Sequence, residues 1–192
     1  MARPRSFDAD DVLSAAMHCF RRLGYERVSI KDLERATGLS SGSLYNSFTN
    51  KEGVFRAALE HYVDVVIRAR LLAFAGPEAT LDDLEGLFLS IWEMPQADGF
   101  GCLVTNSAVE FGPDAPAFAS ARVTEGLNLS YGGIRSLLIR EIGAVEAERE
   151  APALALLYHG VLVYSRARVL DETHRDAVRA TFNRLRALRT TD

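Results

Sequence analysis

An all-α fold is predicted by three features of the sequence. Apolar residues return at i, i+3, i+4 and i+7 in one segment after another. Ser, Thr, Asp or Asn followed three residues later by an acid marks repeated helix starts, and Gly or Pro closes the segments. Val and Ile fall inside those stripes rather than in alternating runs bounded by turns, so no strand is expected. About nine helices follow, three in an N-terminal unit, residues 1–50, and the rest in a larger helical unit, residues 51–192.

The first helix is expected to start at Asp8, an N-cap with Asp11 three residues on, and to carry Val12, Ala15, Ala16, Cys19, Phe20 and Leu23 on one stripe until Gly24. Cys19 on that stripe reads as a small core residue. Arg3 and Arg5, ahead of the helix, read either as an arm that touches DNA or as a solvated leader. Ser29 and Asp32 form a capping box for a short second helix with Ile30, Leu33 and Ala36 inward, and Gly38 supplies a residue that tolerates positive φ. Ser40 or Ser41 opens a third helix whose buried edge is Leu44 and Phe48.

Thr49-Asn50-Lys51-Glu52 reads as a further capping box, followed by a long helix through Phe55, Ala58, Leu59, Tyr62, Val66 and Ala69 to about Ala75. After the Gly76-Pro77 break, Thr80 with Asp83 caps a helix running from Leu81 to Met94, and Gly101 to Phe111 forms a short apolar one. A long helix is expected from Asp114 or Pro116 to about Ile142, then a polar connection or frayed end over 143–150. Pro152 opens a helix apolar on nearly every face, and Thr173 with Asp176 caps a last amphipathic helix bearing Val178, Phe182, Leu185 and Leu188. A helix apolar all round needs cover on all sides, which a unit this small supplies on one, so the other is assigned to a second copy of the chain.

At 192 residues, 48% apolar and 25% charged, the composition is that of a folded chain. No stretch approaches the roughly 20 apolar residues of a membrane span, and the start Met-Ala-Arg-Pro-Arg-Ser has no apolar run behind its arginines. A cytoplasmic protein with no membrane partner is expected. The net charge of −4 is unevenly placed: residues 1–60 hold nine Lys or Arg against eight Asp or Glu, and residues 61–192 hold thirteen against eighteen. Whole-chain charge therefore says nothing against DNA. Cys19 and Cys102 cannot make a disulfide framework, and His18, His61, His159 and His174 are scattered singly, so no metal and no cofactor are expected.

The stretch from Ser29 to Lys51 is too small to hold a core and has the form of a helix-turn-helix. The outward edge of its second helix is Ser41, Gly42, Ser43, Tyr45, Asn46 and Ser47, and no acid occurs from Arg35 to Lys51. Short, uncharged side chains that donate and accept suit a surface laid against phosphates and base edges. Gly38 to Glu52, G-L-S-x-G-S-L-Y-x-x-F-x-x-K-E, resembles the signature of the TetR family of bacterial transcriptional regulators. The resemblance implies that Lys31, Ser41, Tyr45 and Lys51 hold phosphates and that Gly42, Ser43, Asn46 and Ser47 lie nearest the bases. It also implies a homodimer through the two C-terminal helices. Glu34 and Thr37 stand where the family often has Ala, and Glu34 puts an acid on the first helix of the motif. The expected function is a one-component regulator, a repressor that binds a palindromic double-stranded operator as a dimer and is released by a small-molecule effector of unknown identity.

Other chemistry competes for particular residues. Gly38-Leu39-Ser40-Ser41-Gly42 matches G-x-S-x-G, the nucleophile elbow, but that motif needs a strand before it, and here a helix precedes, so no enzyme and no catalytic residue is expected. Cys102, behind Gly99 and Gly101, reads as a packed hydrophobe or as a thiol whose modification switches the same regulator. Its run Gly101-Cys-Leu-x-x-Asn106 is similar to one in a subset of TetR regulators. Tyr62, Phe88, Trp92, Phe111 and Tyr131, with Asn106 and Asn128 as polar anchors, have the chemistry of an apolar ligand pocket or of a core. With no clustered charge among them, a small neutral or aromatic ligand is favoured. A helical small-molecule binding protein without DNA activity is the alternative from another class.

Overall fold

The computed structural model describes residues 8–93 and 98–189, and among these residues every regular element is a helix. Nine helices are α1 (Ala9–Leu23), α2 (Ile30–Thr37), α3 (Ser41–Phe48), α4 (51–75), α5 (Leu81–Leu89), α6 (Leu103–Phe111), α7 (Ala117–Ile142), α8 (Ala144–Ala167) and α9 (Glu172–Arg186). Arg3 and Arg5 lie outside the described residues. The rod α4 is continuous but not uniform: α-helical over Lys51–His61, π-helical over Tyr62–Ile67, and α-helical again over Arg68–Ala75.

The helix starts follow the side chains that cap them. Asp8 accepts from Asp10 N–H at 2.9 Å, and the boxes at Ser29/Asp32 and Thr80/Asp83 are both formed. The Ser29 hydroxyl, its backbone N–H and Arg35 hold the Asp32 carboxyl down at about 2. Gly38 takes the left-handed conformation, φ 70°, that ends α2 and turns the chain into α3.

Four boundaries differ from the sequence reading. Asn50, not Thr49, caps α4, its Oδ1 accepting from Gly53 N–H at 2.9 Å. Thr49 instead sits at φ 72° in a tight turn in which Asn50 N–H donates to Phe48 C=O at 2.8 Å. That turn brings the Phe48 carbonyl to within 1.7 Å of where a Cβ on residue 53 would stand, so only Gly53 fits. The fifth helix ends early, tightening into a 3-10 turn at Ser90–Trp92. Residues 144–150 are helical, because Ala147, Ala151, Leu154 and Ala155 bury one edge against α7; Pro152 sits on the exposed side of α8. The last helix starts two residues early, capped by Asp171, which accepts from His174 N–H at 3.1 Å. Ala36, read as inward, is exposed.

Helices α1–α3 form a small head around Phe20, Leu33 and Leu44, all fully buried, and α4 packs on α1 before running along α7. A single core continues from the head into the body, through Phe55 and Leu59 on α4 to Leu103, Ile134, Leu138 and Phe182.

Candidate functional site

The two short helices of the head are fixed by local chemistry that leaves one face of α3 open. Leu44 is fully buried and Phe48 half-buried; Gly42, Tyr45 and Asn46 are exposed, with Ser41, Ser43 and Ser47 half-buried beside them. Ser40 is the N-cap, its hydroxyl accepting from Ser43 N–H at 3.3 Å. Glu34 turns toward the start of α3 and accepts from Ser41 N–H at 2.6 Å, where the helix dipole favours an anion. Thr37 closes the same turn: its hydroxyl donates to Leu33 C=O at 2.7 Å and accepts from Leu39 N–H at 3.3 Å. Both departures from the family pattern thus hold the turn together. Lys31 is exposed. Lys51 is half-buried with Nζ 4.5 Å from the centre of the Tyr25 ring and donates to Glu26 C=O at 3.3 Å. The outward side chains of α3 are hydroxyl, phenol and amide groups with no carboxylate among them, and Arg22, Arg27 and Arg35 of the head are exposed.

The G-x-S-x-G run is the turn between α2 and α3 and has no strand before it. Ser14, His61 and Asp10 also line up, Ser14 Oγ 2.9 Å from His61 Nε2, but Asp10 is 4.0 Å from the ring and solvent-exposed, too loose to orient an imidazole. Among the described residues no three of His, Cys, Asp and Glu gather as metal ligands.

Two clasps tie the head to the body. The Glu110 carboxylate of α6 accepts from the backbone N–H groups of Tyr25 and Glu26, both at 2.9 Å, while Phe20, Tyr25, Phe55, Phe111 and Phe118 stack in one aromatic cluster with ring centres 4.9–6.3 Å apart. At the end of α1, buried Arg21 donates to Gly101 C=O at 2.6 Å and to Asp98 at 2.8 Å. Its own carbonyl accepts from Arg166 at 2.6 Å and from the Asn106 amide at 3.3 Å.

Beside Arg21 lies a cavity of about 240 Å³. Its walls come from α1 (Met17, His18), α4 (Tyr62, Val66, Ile67, Arg70, Leu71), α5 and the following turn (Leu87, Ile91), the 98–102 loop, Ser130 of α7, and Tyr158, Leu162 and Ser165 of α8. Burial pushes the Tyr62 and Tyr158 phenols up, so both stay protonated donors. Burial and the neighbouring Arg21 lower His18, against an opposing pull from Asp98.

The sequence model described as bacterial regulatory proteins, tetR family, matches residues 12–58. The HTH-type transcriptional repressor ComR of Escherichia coli (strain K12) is 35% identical over 121 residues, 62% of this chain and 58% of that protein. An uncharacterized HTH-type regulator of Bacillus subtilis (strain 168) is 28% identical over 122 residues, 62% of each chain. The chain therefore spans about six-tenths of the length of these relatives. A cysteine mutant of the TetR family regulator CifR, solved with 26-base-pair double-strand operator DNA, superposes with a TM-score of 0.78 at 30% identity, covering 94% of this chain and 98% of that one. The chain belongs to the TetR family of bacterial transcriptional regulators.

Of the residues expected at DNA in this TetR-family chain, Ser41, Gly42, Ser43, Tyr45, Asn46 and Ser47 lie on α3, Lys31 on α2 and Lys51 at the start of α4. The seven expected ligand residues are not brought together. Only Tyr62 lines the cavity. Phe88 is core, against Tyr158 and Phe182. Trp92 donates its indole N–H to Asp171 C=O at 3.3 Å, and Asn106 spends its amide on Arg21 and Phe100 carbonyls. Phe111 belongs to the aromatic cluster, Asn128 is exposed and Tyr131 half-buried. Cys102, 7% exposed, does line the cavity, next to Tyr62, whereas Cys19 is packed in the core. Sequence reasoning missed His18, Arg21, Arg70 and Asp98. Arg21 reads as an ordinary cation in the last turn of a helix, and Arg70 as one of the solvated charges of α4; only the fold turns them inward.

Proposed function

We propose that this chain is a one-component repressor that binds a palindromic operator as a homodimer in the cytoplasm and lets go when a small molecule enters the cavity beside Arg21. Residues 1–50 serve as the DNA-binding domain and residues 51–192 as the effector and dimerisation domain, with α1 shared between them. The observation that carries the reading is the exposed, acid-free face of α3 on a head clasped to a cavity-bearing body. Tyr45, Ser41, Lys31 and Lys51 are assigned to phosphates, and Gly42, Ser43, Asn46 and Ser47 to base edges in the major groove. CifR, whose mutant was solved with its operator, supports the DNA partner, and ComR, named a repressor, supports the direction of control.

The dimer reading rests on α8. Val145, Pro152, Leu156 and Val163 fall on one line at spacings of seven, four and seven, and Leu156 is 75% exposed. Such a seam on the penultimate helix, beside α9, suits packing against its own copy in a four-helix interface. Control follows from the clasp. Because Arg21 of the head reaches Asp98 and Gly101 at the cavity wall, a ligand that displaces the 98–102 loop or the π-helical turn of α4 shifts α1 and with it the spacing of two heads. A preference of a few kcal/mol for one state is enough. Modification of Cys102 is a second route to the same switch, favoured by the place of its thiol on the cavity wall.

A mobility shift with the DNA flanking the chain's own gene tests the reading. Two chains per palindromic site are expected, with half-sites about one helical turn apart, and Leu156→Glu abolishes tight binding by separating the copies. A chain that prefers no duplex over random DNA at equal salt refutes the proposal.

A further inference from the structure

The cavity is apolar over most of its wall, through Met17, Val66, Leu71, Leu87, Ile91 and Leu162, yet two guanidinium groups line it. Arg21 is answered by the Asp98 carboxylate. Arg70 is not. Its Nη2 donates to Ser90 Oγ at 2.7 Å and to Leu87 C=O at 3.3 Å, both neutral, and its Cζ lies 5.6 Å from the centre of the Phe74 ring. Among the described residues no carboxylate reaches it within ion-pair distance.

A half-buried cation beside hydrocarbon, with neutral partners only, lacks the counter-ion that offsets its desolvation. The other groups do not supply one. His18 carries no negative charge in either protonation state, the Tyr62 and Tyr158 phenols keep their protons, and the Ser130 hydroxyl donates to Gly126 C=O at 3.0 Å. The cavity thus keeps one uncompensated positive charge, two phenolic donors and an apolar floor. Its volume of about 240 Å³ lies just below the range of ligand pockets, roughly 300 to 1,000 Å³, so only a small ligand fits. A phosphate dianion or a nucleotide would need more than one free cation.

We infer that the cavity takes a small organic monoanion, a carboxylate on an aromatic or short aliphatic body, with the carboxylate on Arg70 and the body between Leu87, Ile91 and Leu162. Charge-assisted, bidentate guanidinium–carboxylate bonding gives the site its selectivity over the neutral isostere. This rests on the reading of the cavity as the effector site and replaces the neutral ligand expected when no clustered charge is visible in the sequence.

Calorimetric titration of the full chain with benzoate, phenylacetate and octanoate, each against its alcohol (benzyl alcohol, 2-phenylethanol and octan-1-ol), tests it. In the unaltered chain at least one carboxylate binds about tenfold more tightly than its alcohol. Arg70→Met removes that preference and leaves alcohol binding within about twofold, while Arg70→Lys, which keeps the charge and loses the fork, retains part of it. Alcohols that bind as well as their carboxylates, a carboxylate preference that survives Arg70→Met, or a cavity that takes none of the six overturns the inference; the first and last outcomes need no variant that folds. An operator mobility shift on the same samples separates the two readings: Arg70-dependent carboxylate binding that leaves operator affinity unchanged upholds the anion site and defeats the effector role.

Discussion

The face of α3 and the cavity behind α1 are built on opposite plans. The face is eight residues of continuous chain, held by caps at Ser40 and Asn50 and by one buried leucine, with its working side chains in water. The cavity is assembled from five helices and a loop, and most of its lining is also core. A surface of the first kind is altered without disturbing the fold, whereas a change in the second alters packing, ligand fit and the clasp on the head together. The regions meet at Arg21, whose side chain belongs to the cavity wall and whose helix belongs to the head.

Substitutions at the junction and then on each side break or sharpen that contrast. Phe55→Ala empties the aromatic cluster shared by Phe20, Tyr25, Phe111 and Phe118 and is expected to cost about 3–5 kcal/mol of stability in a denaturant titration. A loss under about 1 kcal/mol would mean that head and body do not share a core. Gly42→Leu puts a side chain into open space, since a Cβ there would meet only Ser40 Oγ at 3.9 Å. Its melting temperature should match or exceed that of the parent, because glycine weakens a helix, while operator affinity falls at least about tenfold; a parallel loss of both would put α3 in the core rather than on display. The smallest effect is electrostatic. His18 has its pKa lowered from 6.5 by burial and Arg21, so the unfolded chain binds more protons than the folded one in that range. The contribution of this group to stability is complete above pH 6.5 and is lost as the pH falls below it. His18→Gln should flatten the decline in melting temperature, and an unchanged slope would acquit this group.

How legible each region is in the sequence follows from the same contrast. Ser29, Asp32, Gly38, Leu44 and Phe48 specify the reading head through neighbours within four residues, and the head they build is the one the spacing predicts. Caps and breaks at Thr80 and Gly76-Pro77 are equally local and equally readable. The cavity depends on contacts across 77–80 residues, such as Arg21 with Asp98 and Gly101, and no local pattern distinguishes an arginine that turns inward from one in water. Helical periodicity likewise marks Phe88 and Phe111 as inward but cannot say whether inward means cavity or core. Pro152 misled the reading of α8 because a proline commonly opens a helix, whereas here it rides on the exposed side of one already started.

The central claim is that Asn46 reads bases while Tyr45 holds the backbone, on a face displayed twice in a symmetric pair. Fluorescence anisotropy against a palindrome selected from a random duplex pool, and against every single-base variant of one half-site, tests it for the parent, Asn46→Ala and Tyr45→Phe. The account predicts that Asn46→Ala loses about 1–3 kcal/mol and relaxes preference at one base pair, whereas Tyr45→Phe weakens all duplexes alike. Selection that yields no palindrome, or an Asn46→Ala profile parallel to that of the parent, contradicts it.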